Sequence, residues 1–132
     1  MQITNRELEA SVPVLNELLN CKLPGKVAFK LVKLSKDLEE RLNTFRDSMT
    51  VVQRNHVKVD EDGNYVPARD VDGNVVANQF EVENPVEFQQ EINELREMVV
   101  DLDFEGVRLD DLGENFEIEP VKLRAVDWLI VD

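Results

Sequence analysis

Asp62-Gly63-Asn64 and, ten residues later, Asp72-Gly73-Asn74 carry carboxylate, flexible glycine and amide in an order that calcium loops use. The spacing decides against that chemistry. With Asp62 at the fifth loop position, Lys58 falls at the first and Arg69 at the twelfth; with Asp72 there, Ala68 and Gln79 take those places. A loop lacking both its first carboxylate and its bidentate Glu does not hold the ion, so these units read as tight turns. Asp101, Asp103 and Glu105 alternate on one face of a strand and, with Asp110 or Asp111, offer hard oxygen ligands. Such a site needs ligands converging from several elements, and a solvent-facing strand edge is the simpler expectation. His56 is the single imidazole, with no Ser or Cys evidently placed beside it as a nucleophile. Cys21, next to Lys22, reads as a helix-end packing residue. There is no glycine-rich phosphate loop, and the sequence calls for no catalytic residue, metal or cofactor.

Two charged stripes remain. Lys26, Lys30 and Lys33, with Lys22 and Lys36 nearby, form a basic ridge, whereas Glu87, Glu91 and Glu94 recur about once per helical turn, ~5.4 Å apart. Together with Asp101 and Asp103 those glutamates make an acidic face suited to a basic protein surface or able to imitate a run of phosphates. An ordinary solvated helix face is the plainer account of the same spacing. In a chain of net charge −13 the lysine ridge reads as an internal or subunit contact, and direct binding to nucleic acid or to an anionic membrane is not expected. Residues 1–56 hold nine basic and seven acidic side chains and residues 57–132 hold six and twenty-one, so the two portions complement each other and are expected to pair within the monomer.

These residues need elements to position them. Val27, Leu31, Leu34, Leu38, Leu42, Phe45, Met49 and Val52 step by three or four without an intervening Gly or Pro, which predicts one long helix over about 24–55, some 42 to 48 Å at ~1.5 Å per residue. Phe29 and Val32 lie off that stripe, which predicts neighbours on two sides of its first half. Residues 5–20 predict a first helix capped by Asn5, kinked or split at Pro13. From 57 to 82 the period becomes two and the Asp-Gly turns predict a β-meander tip, with Pro67 at an edge or breaking its strand. Asn84-Pro85-Val86-Glu87 starts a helix over about 85–99 whose face is Phe88, Ile92, Leu95 and Val99. Val100, Leu102 and Phe104 alternate as a half-buried strand, Gly106 turns the chain towards 107–109, Phe116 and Ile118 suggest another strand, and Pro120 opens a last helix. The ending from Ala125 through Trp128 to Val131 is apolar nearly all round, to be buried in the domain or contributed to a partner.

The expectation is therefore a single α+β domain over residues 1–132: a long antiparallel helical hairpin with the β-meander tip at one end and a small sheet plus terminal helices at the other. The helix at 85–99 is too short to cover the whole apolar seam of the long one. Either the tip folds over the remainder or a second copy does, and the expectation is a homo-oligomer with Leu42, Phe45 and Met49 at the contact and Trp128 as a further candidate. The single cysteine fits a reducing compartment, and the first residues lack the basic-then-apolar pattern of a signal peptide.

Ile3-Thr4-Asn5, Leu23-Pro24 with Lys26 and Val27, Asp60-Glu61-Asp62-Gly63-Asn64, Leu109-Asp110-Asp111-Leu112 and Trp128-Leu129-Ile130 run through most of the chain. In these pieces the sequence resembles small proteins of tailed bacteriophages and prophages, though the second Asp-Gly-Asn unit lengthens the tip beyond that pattern. The resemblance implies a phage or prophage origin, in the cytoplasm of an infected bacterium or in the virion, and assigns no functional residue. Two functions are expected from it. One is a non-enzymatic acidic protein that binds another protein, blocking a basic site of a host or defence factor. The other is a structural or assembly subunit of capsid, connector or tail.

Overall fold

In a computed structural model, which describes residues 1–113 and 116–131, the elements run β1 (Gln2–Thr4), α1 (Asn5–Leu18), α2 (Gly25–His56), β2 (Pro67–Arg69), β3 (Val75–Phe80), α3 (Pro85–Glu97), β4 (Val99–Asp101), β5 (Val107–Arg108), α4 (Pro120–Ala125) and β6 (Ile130–Val131). Helices and three separate two-stranded sheets make this an α+β protein. Contacts gather the chain into two units, Met1–Phe45 with Arg96–Asp132, and Arg46–Leu95, with α2 contributing to both.

The first unit holds the core. Leu8, Val12, Leu15 and Leu18 on α1 and Val27, Leu31, Leu34, Leu38, Leu42 and Phe45 on α2 are buried at helical spacing, joined by Ile3, Leu102, Val107, Leu112, Val126 and Leu129. Thr4 caps α1, its hydroxyl accepting from Glu7 N–H while the Glu7 carboxylate accepts from Thr4 N–H, so the reciprocal box sits one residue earlier than the expected Asn5 cap. Asn5 is buried, and its own N–H is donated to the carbonyl of Met98. Helix α1 runs through Pro13 as one element. Pro13 and Glu9 are both exposed, and on a solvent-facing side of the helix the backbone hydrogen bond that a proline forfeits costs least.

The amino-terminal residues form a strand the sequence did not announce. β1 pairs antiparallel with β4, Ile3 opposite Val100, and Leu102 N–H is donated to the Met1 carbonyl. Of the expected 100–105 strand only Val100 and Asp101 pair, together with Val99 before it, because β1 is three residues long and offers no further ladder. Val99 belongs to this strand and is exposed, so the face of α3 ends before it. Phe116 and Ile118 lie outside any strand. The last helix stops at Ala125; a 3-10 turn over Asp127–Leu129 leads into β6, which pairs parallel with β5. Gly106 (φ +100°) lets that pairing close: a Cβ there would sit 2.5 Å from Val131 Cγ1.

The second unit is built from turns. Asp60 Oδ1 accepts the N–H groups of Asp62 and Asn64, each at 2.9 Å, and Asp70 Oδ1 does the same for Asp72 and Asn74. Each Asp thus organises the Asp-Gly-Asn unit that follows it, an Asx turn serving a hairpin. Lys58 N–H reaches the Glu81 carbonyl, Glu81 N–H the Val66 carbonyl, and Val66 N–H the Lys58 carbonyl, a closed backbone ring that ties the two hairpins together. Pro67 is tolerated opposite Phe80 at the start of β2, and Asn78 takes φ +62° where the register slips. Asn84 caps α3 as expected, accepting from Glu87 N–H.

Candidate interaction surfaces

Two of the three carboxylates of the α3 stripe, Glu87 and Glu91, are already engaged. His56 Nε2 lies 3.1 Å from Glu91 and its ring meets Phe88 edge-on at 5.8 Å, so the last residue of α2 is held against α3. Glu87 accepts from the Asn84 side-chain amide at 3.2 Å. Glu94 is exposed. Asp101 stands 3.8 Å from the terminal ammonium, and Asp103 and Glu105 lie in the irregular segment that leads to β5. Glu87, Glu91 and Glu94 belong to one unit and Asp101 and Asp103 to the other. Among the described residues no three His, Cys, Asp or Glu converge as a metal ion would require. Cys21 is a half-buried free thiol whose Sγ reaches the Glu17 carbonyl at 3.7 Å.

The residues expected at a self-association contact are placed differently. Leu42 is 4% and Phe45 2% exposed within this one chain, so neither side chain is on offer to a second copy. In sequence the cover for this stretch falls to the β-tip or to a second copy, whereas Leu42 and Phe45 are buried as part of the first unit. Met49 is half-buried. Trp128 is half-buried too, and its indole N–H is donated to Ser11 Oγ at 2.7 Å; the flanking Val126 and Leu129 are fully buried, so the carboxy-terminal segment is spent inside the domain.

Ion pairs Arg6–Glu97 (2.8 Å), Met1–Asp101 and Lys122–Glu17 (2.7 Å) join the basic and acidic portions of the chain. The Glu17 hydrogen bond and the nearby Glu119 charge raise the Lys122 pKa above its ordinary 10.5. The lysine ridge stays outside this pairing. Lys26, Lys30, Lys33 and Lys36 are exposed, and among the described residues none is within 4.0 Å of a carboxylate. Phe29 is 72% and Val32 42% exposed on the same stretch, so the second neighbour expected there is absent from the described residues. A groove of about 540 Å³ runs beside them, lined by Phe29, Leu34, Phe104 and Gly106, by the cations Lys30, Lys33 and Arg41, and by the carboxylates Asp37, Asp103 and Glu105.

The tip carries the feature that sequence reasoning missed. Tyr65 and Phe80 stack edge-to-face at 5.5 Å while both remain close to half exposed, and Val59, paired across from Tyr65, is half exposed as well. The sequence places these residues within the β-meander without assigning them a face; an alternating pattern does not tell which face of a short hairpin has anything to pack against. Comparison with protein-family models, with curated proteins and with solved structures finds no match. No described helix is long and apolar enough to cross a membrane.

Proposed function

We propose that this is a non-enzymatic acidic protein that works by binding another protein, with residues 57–82 as the arm that engages it. The observation that carries the reading is the exposed Val59, Tyr65 and Phe80 cluster, set in a stretch with six acidic and two basic side chains. Within Arg46–Leu95 only Ile92 is a buried apolar side chain among the described residues, so this unit keeps little of its apolar surface from water by itself. Aromatic anchors with a charged rim are the usual composition of a binding hot spot. The matching surface would be apolar at its centre and basic around it. A basic site on a host or defence protein of an infected bacterium fits that description, in keeping with the resemblance to tailed-phage proteins.

A photo-cross-linking residue at fully exposed Val71 tests this directly. Infected cells should yield a cross-link to a defined protein that disappears in the Tyr65→Ser, Phe80→Ser background, with far-UV circular dichroism unchanged. Labelling that ignores those substitutions would discard the arm. The second reading, an assembly subunit of the virion, is favoured by the opposite character of the two exposed faces, apolar with lysines on α2 and apolar with carboxylates at the tip. Stoichiometric recovery of the chain from purified particles would select it.

A further inference from the structure

Residues 18–36 contain five lysines and no acid, in a protein whose net charge is −13. Four of those lysines project from α2 beside exposed Phe29 and Val32, unpaired among the described residues, and the groove against Phe104 adjoins them. Its volume lies within the ~300–1,000 Å³ that takes up drug-sized groups. A lysine face with an apolar centre selects an acidic occupant that carries an apolar anchor. The tip is such a surface: Tyr65, Phe80 and Val59 at its centre, and Glu61, Asp62 and Asp72 exposed on its two turns.

We propose that the tip of one copy docks on the lysine face of α2 in a second copy. This rests on the reading that the tip is a protein-binding arm, and it names the partner surface. The interface is heterologous: one copy gives its tip, the other its α2 face, and each keeps the complementary surface free for a further copy. Such contacts propagate into a ring or a filament according to whether the rotation closes. Complementary charge sets orientation and speeds the encounter, while the aromatic pair entering the groove supplies the apolar contact.

The test is sedimentation of the full chain with two charge-reversed variants, Lys26→Glu/Lys30→Glu/Lys33→Glu and Glu61→Lys/Asp62→Lys/Asp72→Lys. Among the described residues none of these side chains takes part in an ion pair or in a hydrogen bond of the turns, and circular dichroism checks that each variant folds. At high micromolar concentration and low salt the wild type should exceed the 15.2 kDa of one chain and return towards it at about 0.5 M salt, where the screening length falls below ~5 Å. Each variant alone should remain a monomer, because its tip and its α2 face now carry the same sign. Mixed one to one, the two should recover the mass of the wild type, since each tip again meets an opposite face. Both variants keep a negative net charge, so bulk attraction does not supply that recovery. A monomeric wild type, variants that still associate, or a mixture that stays monomeric overturns the proposal. None of those results touches the cross-link to another protein, on which the functional reading stands separately.

Discussion

Replacing Ser11 by alanine removes a buried polar node that ties α1 to the carboxy-terminal segment. Ser11 is 0% exposed; its hydroxyl faces the carbonyls of Glu7 and, at 2.9 Å, Ala125, and it accepts the Trp128 indole N–H at 2.7 Å. The hydroxyl has one proton, so it donates to one carbonyl at a time while always accepting from Trp128. In Ser11→Ala the indole N–H loses its acceptor, and the Ala125 carbonyl loses a donor, next to fully buried Val126 and Leu129. An orphaned buried donor costs ~1–3 kcal/mol, and because Trp128 is itself half-buried the expected loss is about 2 kcal/mol. At roughly 3–5 °C per kcal/mol for a chain of this size, the midpoint should fall by about 6–10 °C. Trp128→Phe removes the donor instead and leaves Ser11 its carbonyl partners. The double variant should therefore be less destabilised than the two singles added, by ~1 kcal/mol, which urea denaturation followed by far-UV circular dichroism resolves. Strict additivity, or a Ser11→Ala loss within ~0.5 kcal/mol of zero, would refute the reasoning.

Leu42→Ala and Phe45→Ala should each cost ~2–5 kcal/mol of stability by opening a cavity, while leaving sedimentation of the folded protein unchanged; the reverse pattern would mean these side chains face a partner after all. Gly106→Ala combines a left-handed φ with a Cβ 3.3 Å from the Leu129 carbonyl, and should cost ~2–4 kcal/mol, whereas Gly63→Ala, with φ +83° and nothing within 4 Å, should cost only ~1–2 kcal/mol. Pro13→Ala restores an N–H to the interior of α1 and should stabilise the protein, by up to ~3 kcal/mol in chemical denaturation. The raised pKa of Lys122 means that its pairing with Glu17 and Glu119 favours the folded state wherever the lysine is charged in both states, below 10.5, and that this contribution disappears as pH rises through the folded value. Any melting difference between the wild type and Lys122→Met should accordingly be present at neutral pH and vanish in strong alkali; a difference that persists there would point to packing by the lysine stem.

The residues of this chain determined by themselves whatever depends on neighbours close in sequence. Helix α2 follows from a stripe repeating every three or four residues, the start of α3 from Asn84, Pro85 and Glu87, and the two hairpin turns from Asp-Gly pairs, because capping, turn geometry and helical periodicity are local. The tertiary structure decided what depends on distant partners. Gln2–Thr4 becomes a strand only because residues 99–101 arrive beside it, Pro13 is accommodated only because its side of α1 meets water, and the chain after Ala125 leaves the helix to pair with β5. Exposure divided the same way. Leu42 and Phe29 are both large apolar residues on α2, yet one is 4% and the other 72% exposed, since burial is set by what packs against a face and not by the residue on it. The lysine face and the aromatic tip were present in the sequence as charges and strand positions; their standing as open surfaces came from the absence, among the described residues, of any element packed over them.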